Sequence, residues 1–181
     1  MLMLVLKTDL NAEVFDGYTL FSPTGGGPSG ATGGTSYLYD NDYNIIHTWI
    51  HSRGAASMPY LLPDSSIIYP FRVESPTMSA GGVGGGVAHI AWDGTILWEY
   101  IISNQTYQHH HDVQPLPNGN ILVIAWEKKT ATEAYSMGRA SLDNPLNEMW
   151  STAILELEMT PPNGANIVWE WHLWDHLVQD S

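Results

Sequence analysis

Apolar and polar positions along this chain fall into one short unit that recurs five times. Each unit is an apolar strand, a tight turn rich in Asp, Asn and Gly, and a second apolar strand that often closes on Trp. The units cover residues 37–49, 60–69, 88–100, 113–126 and 153–171. Asp93-Gly94 and Asn118-Gly119 supply the positive φ angles that two-residue hairpin turns require, and the flanking Val, Ile, Trp and Tyr suit a pleated surface. A hairpin cannot bury its own apolar face, but stacked hairpins can, so the repetition itself predicts an architecture. The expectation is an all-β chain of β-propeller blades built from repeated antiparallel hairpins. At two hairpins to a blade this is a partial propeller of about two to three blades, short of the roughly four to eight that close a ring.

The intervening segments complete that picture. Residues 17–23 read as a strand, and 24–35 and 79–86 read as Gly-rich loops. The domain expectation is one partial propeller over 1–181, with 1–36 as lead-in strand and loop and 37–181 as hairpin repeats. Residues 130–137 contain good helix formers and end at Gly138, which predicts a short helix. The run 121–126 lacks clean alternation and predicts strands buried on both faces. Strand edges left open by an incomplete ring invite association, so copies of the chain pairing through open blade edges are one expected partner.

Charge narrows the partners further. Six Lys and Arg stand against 19 Asp and Glu, for a formal net charge of −13. No basic cluster is available to neutralise phosphates, which argues against nucleic acid, and the same balance disfavours anionic membrane surfaces. With no Cys, disulfides, thiolate metal sites and Cys nucleophiles are excluded. Residues 1–6 are apolar but lack a basic start and a small-residue cleavage site, so no secretory signal is visible.

Candidate chemistry lies in two His-bearing segments, His109-His110-His111-Asp112 and His172-Leu-Trp-Asp175-His176. Imidazoles at a strand mouth can bind an anion, hold a metal or move a proton. His172 and His176 stand four residues apart, but no His-Glu-x-x-His arrangement supports a zinc site. His47, His51 and His89 read as ordinary strand or surface residues, and His109 as a supporting or solvated one. Residues 81–86 lack the Lys-Ser/Thr of a phosphate loop and read as a flexible loop.

His110-His111-Asp112 leading into Asn118-Gly119-Asn120, followed by Ala125-Trp126-Glu127, resembles the arylsulfotransferase family, the bacterial arylsulfate sulfotransferases. Residues 17–23, Tyr37-Leu-Tyr-Asp40 with His47-Thr-Trp49, Trp92-Asp93-Gly94 with Trp98-Glu-Tyr100, and residues 169–180 are similar to the same family. The resemblance implies a six-bladed propeller with its site in the central channel. It implies sulfuryl transfer from an aryl sulfate to a phenol through a sulfohistidine, with no cofactor and no nucleotide sulfate donor. His111 and His176 match the family's channel histidines and carry the catalytic assignment. His110, Asp112 and Asp175 carry the substrate-binding one, and no metal is implied. Val178 stands where the family often has Asn. The family's nucleophilic His and a sulfate-binding Arg fall beyond the matched stretch. The resemblance is therefore to the N-terminal portion of such an enzyme, with activity of this chain alone left open. It also implies a periplasmic or secreted setting. The alternative function is a non-enzymatic propeller module that self-associates or binds a partner.

Overall fold

A computed structural model describes residues 15–23 and 32–177. All five hairpins form. The strands are β1 (Thr19–Phe21), β2 (Thr32–Tyr39), β3 (Ile45–Arg53), β4 (Tyr60–Leu61), β5 (Ile67–Arg72), β6 (Gly85–Ile90), β7 (Ile96–Ile101), β8 (Tyr107–Pro115), β9 (Ile121–Thr130), β10 (Glu148–Thr160) and β11 (Gly164–His172). They pair antiparallel into three sheets ordered β1-β2-β3, β4-β5-β6-β7 and β8-β9-β10-β11. The fold is all-β. Strand β1 lies within the predicted 17–23, but the Gly-rich loop expected to end at residue 35 ends sooner. Thr32 to Thr35 already belong to β2, and the rest of that loop, 24–31, lies outside the described residues along with 1–14. Gly85 and Gly86 likewise belong to β6 rather than to a loop.

The three sheets stack face to face, with one apolar core in each gap. Leu38 and Trp49 from the first sheet meet Ile67, Tyr69, Phe71, Ala88 and Ile90 from the second. On the other side, Ile68, Val87 and Trp98 of the second sheet meet Val113, Ile121, Val123, Ala125, Ala153, Leu155 and Leu157 of the third. The middle sheet is therefore buried on both faces, and this is where two-sided burial falls: Ile67 to Phe71 are buried without alternation. In β9 the residues alternate instead, buried Ile121, Val123 and Ala125 against half-buried Leu122, Ile124 and Trp126. The expectation of two-sided burial at 121–126 is corrected. Among the described residues no fourth sheet covers the far face of the third.

The predicted helix forms as α1 (Ala131–Ser136). Thr130 caps it: its hydroxyl accepts the Glu133 N–H at 3.3 Å, and the Glu133 carboxylate accepts the Thr130 N–H at 2.7 Å. This reciprocal pair satisfies donors that a helix start otherwise orphans.

Candidate functional site

Strand β8 carries the site, and an irregularity in it creates the geometry. His109 pairs with Ala125 and Val113 with Val123, so three residues, His110, His111 and Asp112, stand opposite the single residue Ile124. Such a bulge re-aims side chains that regular pleating would send to alternate faces. The turn of the chain falls on His111, whose φ is 59°, a left-handed value uncommon outside glycine.

The lead-in to β6 holds the bulge in place. Gly84 N–H donates to the His109 carbonyl at 3.0 Å, and His111 N–H donates to the Gly82 carbonyl at 2.7 Å. Glycine is required here for close approach. A Cβ on Gly82 would collide with the His111 ring, and one on Gly84 with the His109 ring; Gly82 also has φ 78°. Gly82 and Gly84, read as part of a flexible loop in the sequence, are instead a packed seat for two imidazoles.

The three imidazoles differ. His109 is fully buried, and its Nδ1 accepts the Gly85 N–H at 3.2 Å. Its hydrogen therefore sits on Nε2, a buried atom without a partner among the described residues. His110 is buried too, stacks on the Trp126 ring at 4.5 Å, and leaves its own Nε2 unpartnered. Burial and a neighbouring imidazole push both pKa values down to about 4, so both rings are neutral at pH 7. The reading of His109 as solvated is corrected. His111 is exposed, and its Nδ1 lies 2.8 Å from His110 Nδ1. One of those nitrogens must carry the hydrogen and the other accept it.

Asp112 is anchored rather than free. Its carboxylate accepts from Ser57 Oγ at 3.1 Å, from Tyr60 Oη at 3.2 Å and from its own neighbour Val113 N–H at 2.9 Å. Burial and the Asp112 charge raise the Tyr60 pKa, which keeps the phenol protonated as a donor.

The structure brings His110, His111 and Asp112 together and leaves His176 and Asp175 elsewhere. Both belong to a single 3-10 turn, Leu173–His176, after β11. Strands β8 and β11 are opposite edges of one sheet, three strand spacings or roughly 14 Å apart. His176 is exposed and stacks on Trp171 at 5.1 Å; Asp175 is exposed. His172 does not pair with His176, because the strand ends between them. Its Nδ1 lies 3.1 Å from Glu127 and its Nε2 3.5 Å from Glu170. Beside them, burial and the charges of Glu127 and Glu170 push the Tyr107 phenol up to about 12. Among the described residues no three His, Asp or Glu side chains gather as metal ligands.

Ser57, Tyr60, Gly82 and Trp126 also belong to the site; Trp126 stands in the segment that carries the resemblance and Gly82 in the glycine run, while no local motif marks Ser57 or Tyr60. Two further His contacts were also hidden in the sequence. His51 is buried, meets Ser36 Oγ at 2.7 Å and stacks on Tyr69 at 3.7 Å. His89 Nε2 lies 2.7 Å from Ser66 Oγ, which donates to Asp64 at 2.5 Å. With its hydrogen given to Asp64, Ser66 must accept from His89. The serine stands between the other two groups, so this is a structural chain and not a nucleophile with its base.

Comparisons of the chain with protein-family models, with curated proteins and with solved structures give no match.

Proposed function

We propose that the three sheets are successive blades of a β-propeller, and that the β8 bulge serves sulfuryl transfer between phenolic compounds in the manner of the arylsulfotransferases. The observation that carries this reading is the His110–His111 contact of 2.8 Å on a bulge with a left-handed residue at its tip. Strained backbone of this kind persists where the surroundings over-determine it, and it concentrates at functional sites.

The chemistry follows from the roles the two rings can take. His111, exposed at the tip, donates a hydrogen bond to a sulfuryl oxygen or takes the proton of an attacking phenol. His110, held neutral by burial, accepts or supplies the shared hydrogen on the other side of the pair. Asp112, fixed by Ser57 and Tyr60, holds the strand turn beside the pair. His176 and Asp175 stand outside this cluster, so the proposal rests on His111, with His110 and Asp112 as positioning residues.

The test is release of p-nitrophenol from p-nitrophenyl sulfate, with and without added phenol, in the wild type and in His111→Ala. Phenol-stimulated release that the substitution abolishes is the expected result. Absence of release from folded wild-type protein would sink the claim that this chain transfers sulfuryl groups.

A further inference from the structure

Tyr60 opens strand β4 and sits at the joint between the second and third sheets. Its backbone pairs with Ile68, and its ring packs against the core that fills the gap between those sheets. The residue is half-buried, and its hydroxyl reaches across to the bulge, donating to Asp112 Oδ2 at 3.2 Å. The other oxygen of that carboxylate, Oδ1, accepts from Ser57 Oγ at 3.1 Å and from the Val113 N–H at 2.9 Å. A hydroxyl, a base within hydrogen-bond reach of it, and further groups that orient the base form the arrangement of an activated nucleophile. Because burial and the Asp112 charge raise the Tyr60 pKa, the phenol keeps its proton at neutral pH, and attack must pass that proton to a base. Asp112 is the carboxylate in contact with it.

Two hydroxyls touch Asp112, and their chemistry separates them. Sulfated Tyr60 is an aryl sulfate, the same class as the donor, so the group can be passed on to another phenol. Sulfated Ser57 is an alkyl sulfate, whose alkoxide is a far poorer leaving group than a phenolate, and the group would be trapped there. Neither of the other tyrosines with a raised pKa shares the arrangement. Tyr69 is buried and its hydroxyl donates to the Arg53 carbonyl at 2.8 Å. Tyr107 stands beside Glu127 and Glu170, whose carboxylates lie against Lys129 and His172.

We infer that Tyr60 is the group that takes the sulfuryl from the donor, with Asp112 as its base, so that transfer runs through a sulfotyrosine. In the first half, Tyr60 Oη bonds to sulfur and its proton passes to Asp112. The S–O bond to the donor's aryl group breaks, and its electron pair leaves on the aryl oxygen as a phenolate. In the second half, an acceptor phenol bonds to sulfur and gives its proton to His111. The Tyr60 oxygen leaves with its electron pair and recovers the proton from Asp112, while His111 passes its proton to the departed phenolate. One aryl sulfate and one phenol are consumed, and one of each is formed.

The inference rests on the sulfuryl-transfer reading above, and a covalent label separates the two. The full chain is mixed with p-nitrophenyl sulfate in the absence of phenol, quenched, digested and mapped by mass spectrometry. p-Nitrophenolate is a better leaving group than the tyrosine phenolate, so a burst of p-nitrophenol is expected, with a sulfuryl group on the peptide that carries Tyr60. Added phenol is expected to discharge it. Tyr60→Phe keeps the ring in the core and is expected to abolish both the label and phenol-stimulated release. Asp112→Asn is expected to slow labelling about 100-fold or more, the loss of a general base, with the label still on Tyr60. Circular dichroism of each variant distinguishes lost chemistry from a lost fold, and the wild-type label needs no variant. Phenol-stimulated release with no label at Tyr60 overturns the inference and leaves sulfuryl transfer standing. So does a label on another tyrosine or on a histidine, as the resemblance implies, and so does full activity in folded Tyr60→Phe. Neither release nor label from the wild type sinks both.

Discussion

Trp98 donates its indole N–H to the carbonyl of Gly164, 66 positions later, at 2.6 Å. The bond ties the outer strand of the middle sheet to the last hairpin turn of the third, and the Glu99 N–H to Pro162 carbonyl contact at 3.0 Å runs beside it. Trp49 and the Ala91 carbonyl make the same tie between the first two sheets. Sheet stacking is therefore specified by directional hydrogen bonds as well as by apolar contact, and this fixes the register of one sheet on the next.

Replacing Trp98 with Phe keeps an aromatic ring in the core and removes the donor. A partly buried carbonyl left without its partner costs up to about 1–3 kcal/mol. Urea denaturation of Trp98→Phe is expected to show a loss of that size at an unchanged slope. A shift within experimental error would mean that water replaces the indole at Gly164.

Gly82 beneath the bulge and Gly94 in the β6–β7 turn separate backbone strain from collision. Gly94 has φ 88° with open space around it, whereas Gly82 has φ 78° and faces the His111 ring. Ala at position 94 is expected to cost about 1 kcal/mol, the penalty for a side chain at positive φ. Ala at position 82 is expected to cost more than that and to shift the His111 imidazole resonances, read by chemical denaturation and NMR. Equal losses at the two sites would show that the ring moves aside freely.

Acid is expected to destabilise this fold well above the carboxylate range. Burial pushes His51 down to about 4, as burial and neighbouring imidazoles do for His109 and His110. The unfolded chain takes up protons at these groups near pH 6.5, and the folded chain does not until about pH 4. Stability is thus fully present above pH 6.5 and is lost as pH falls toward 4. The urea midpoint followed from pH 7 to 4 checks this; a flat midpoint over that window contradicts it. The carboxylates of Asp64 and Glu133, whose hydrogen bonds to Ser66 and Thr130 lower their pKa values, add stability that is present at neutral pH and is lost only at and below the acid end of that window.

Thr130→Ala removes the helix cap and one half of a reciprocal pair with Glu133. The expected cost is about 1 kcal/mol, because helix α1 packs a single buried residue, Ala134, and depends on local bonds. Thermal unfolding with Thr130→Ser as control reads the cap separately from the lost methyl group.

What was legible in the chain is what short-range chemistry decides. Four of the five hairpins turn on a residue with positive φ, at Tyr43, Ser65, Gly94 and Gly119, and α1 follows from a capping pair three residues apart, interactions complete within one turn of chain. Part of the candidate site was legible in the same way, since His110, His111 and Asp112 are adjacent. The grouping with His176 and Asp175 was not borne by the fold: a strand that ends at His172 sends them to the opposite edge of the sheet.

By itself, then, the sequence determined strand, turn and helix, and a strongly acidic chain with its imidazoles in two segments. Only the tertiary structure decided which strands are buried twice, which glycines seat a ring, and which histidines are neutral. Those outcomes depend on contacts such as Ser57 with Asp112 and Gly82 with His111, separated by tens of residues. Periodicity reports how a strand divides its two faces, but burial of each face is set by what arrives from elsewhere in the chain. That is why β9, expected to be buried on both faces, alternates, while β5 is the strand buried without alternation.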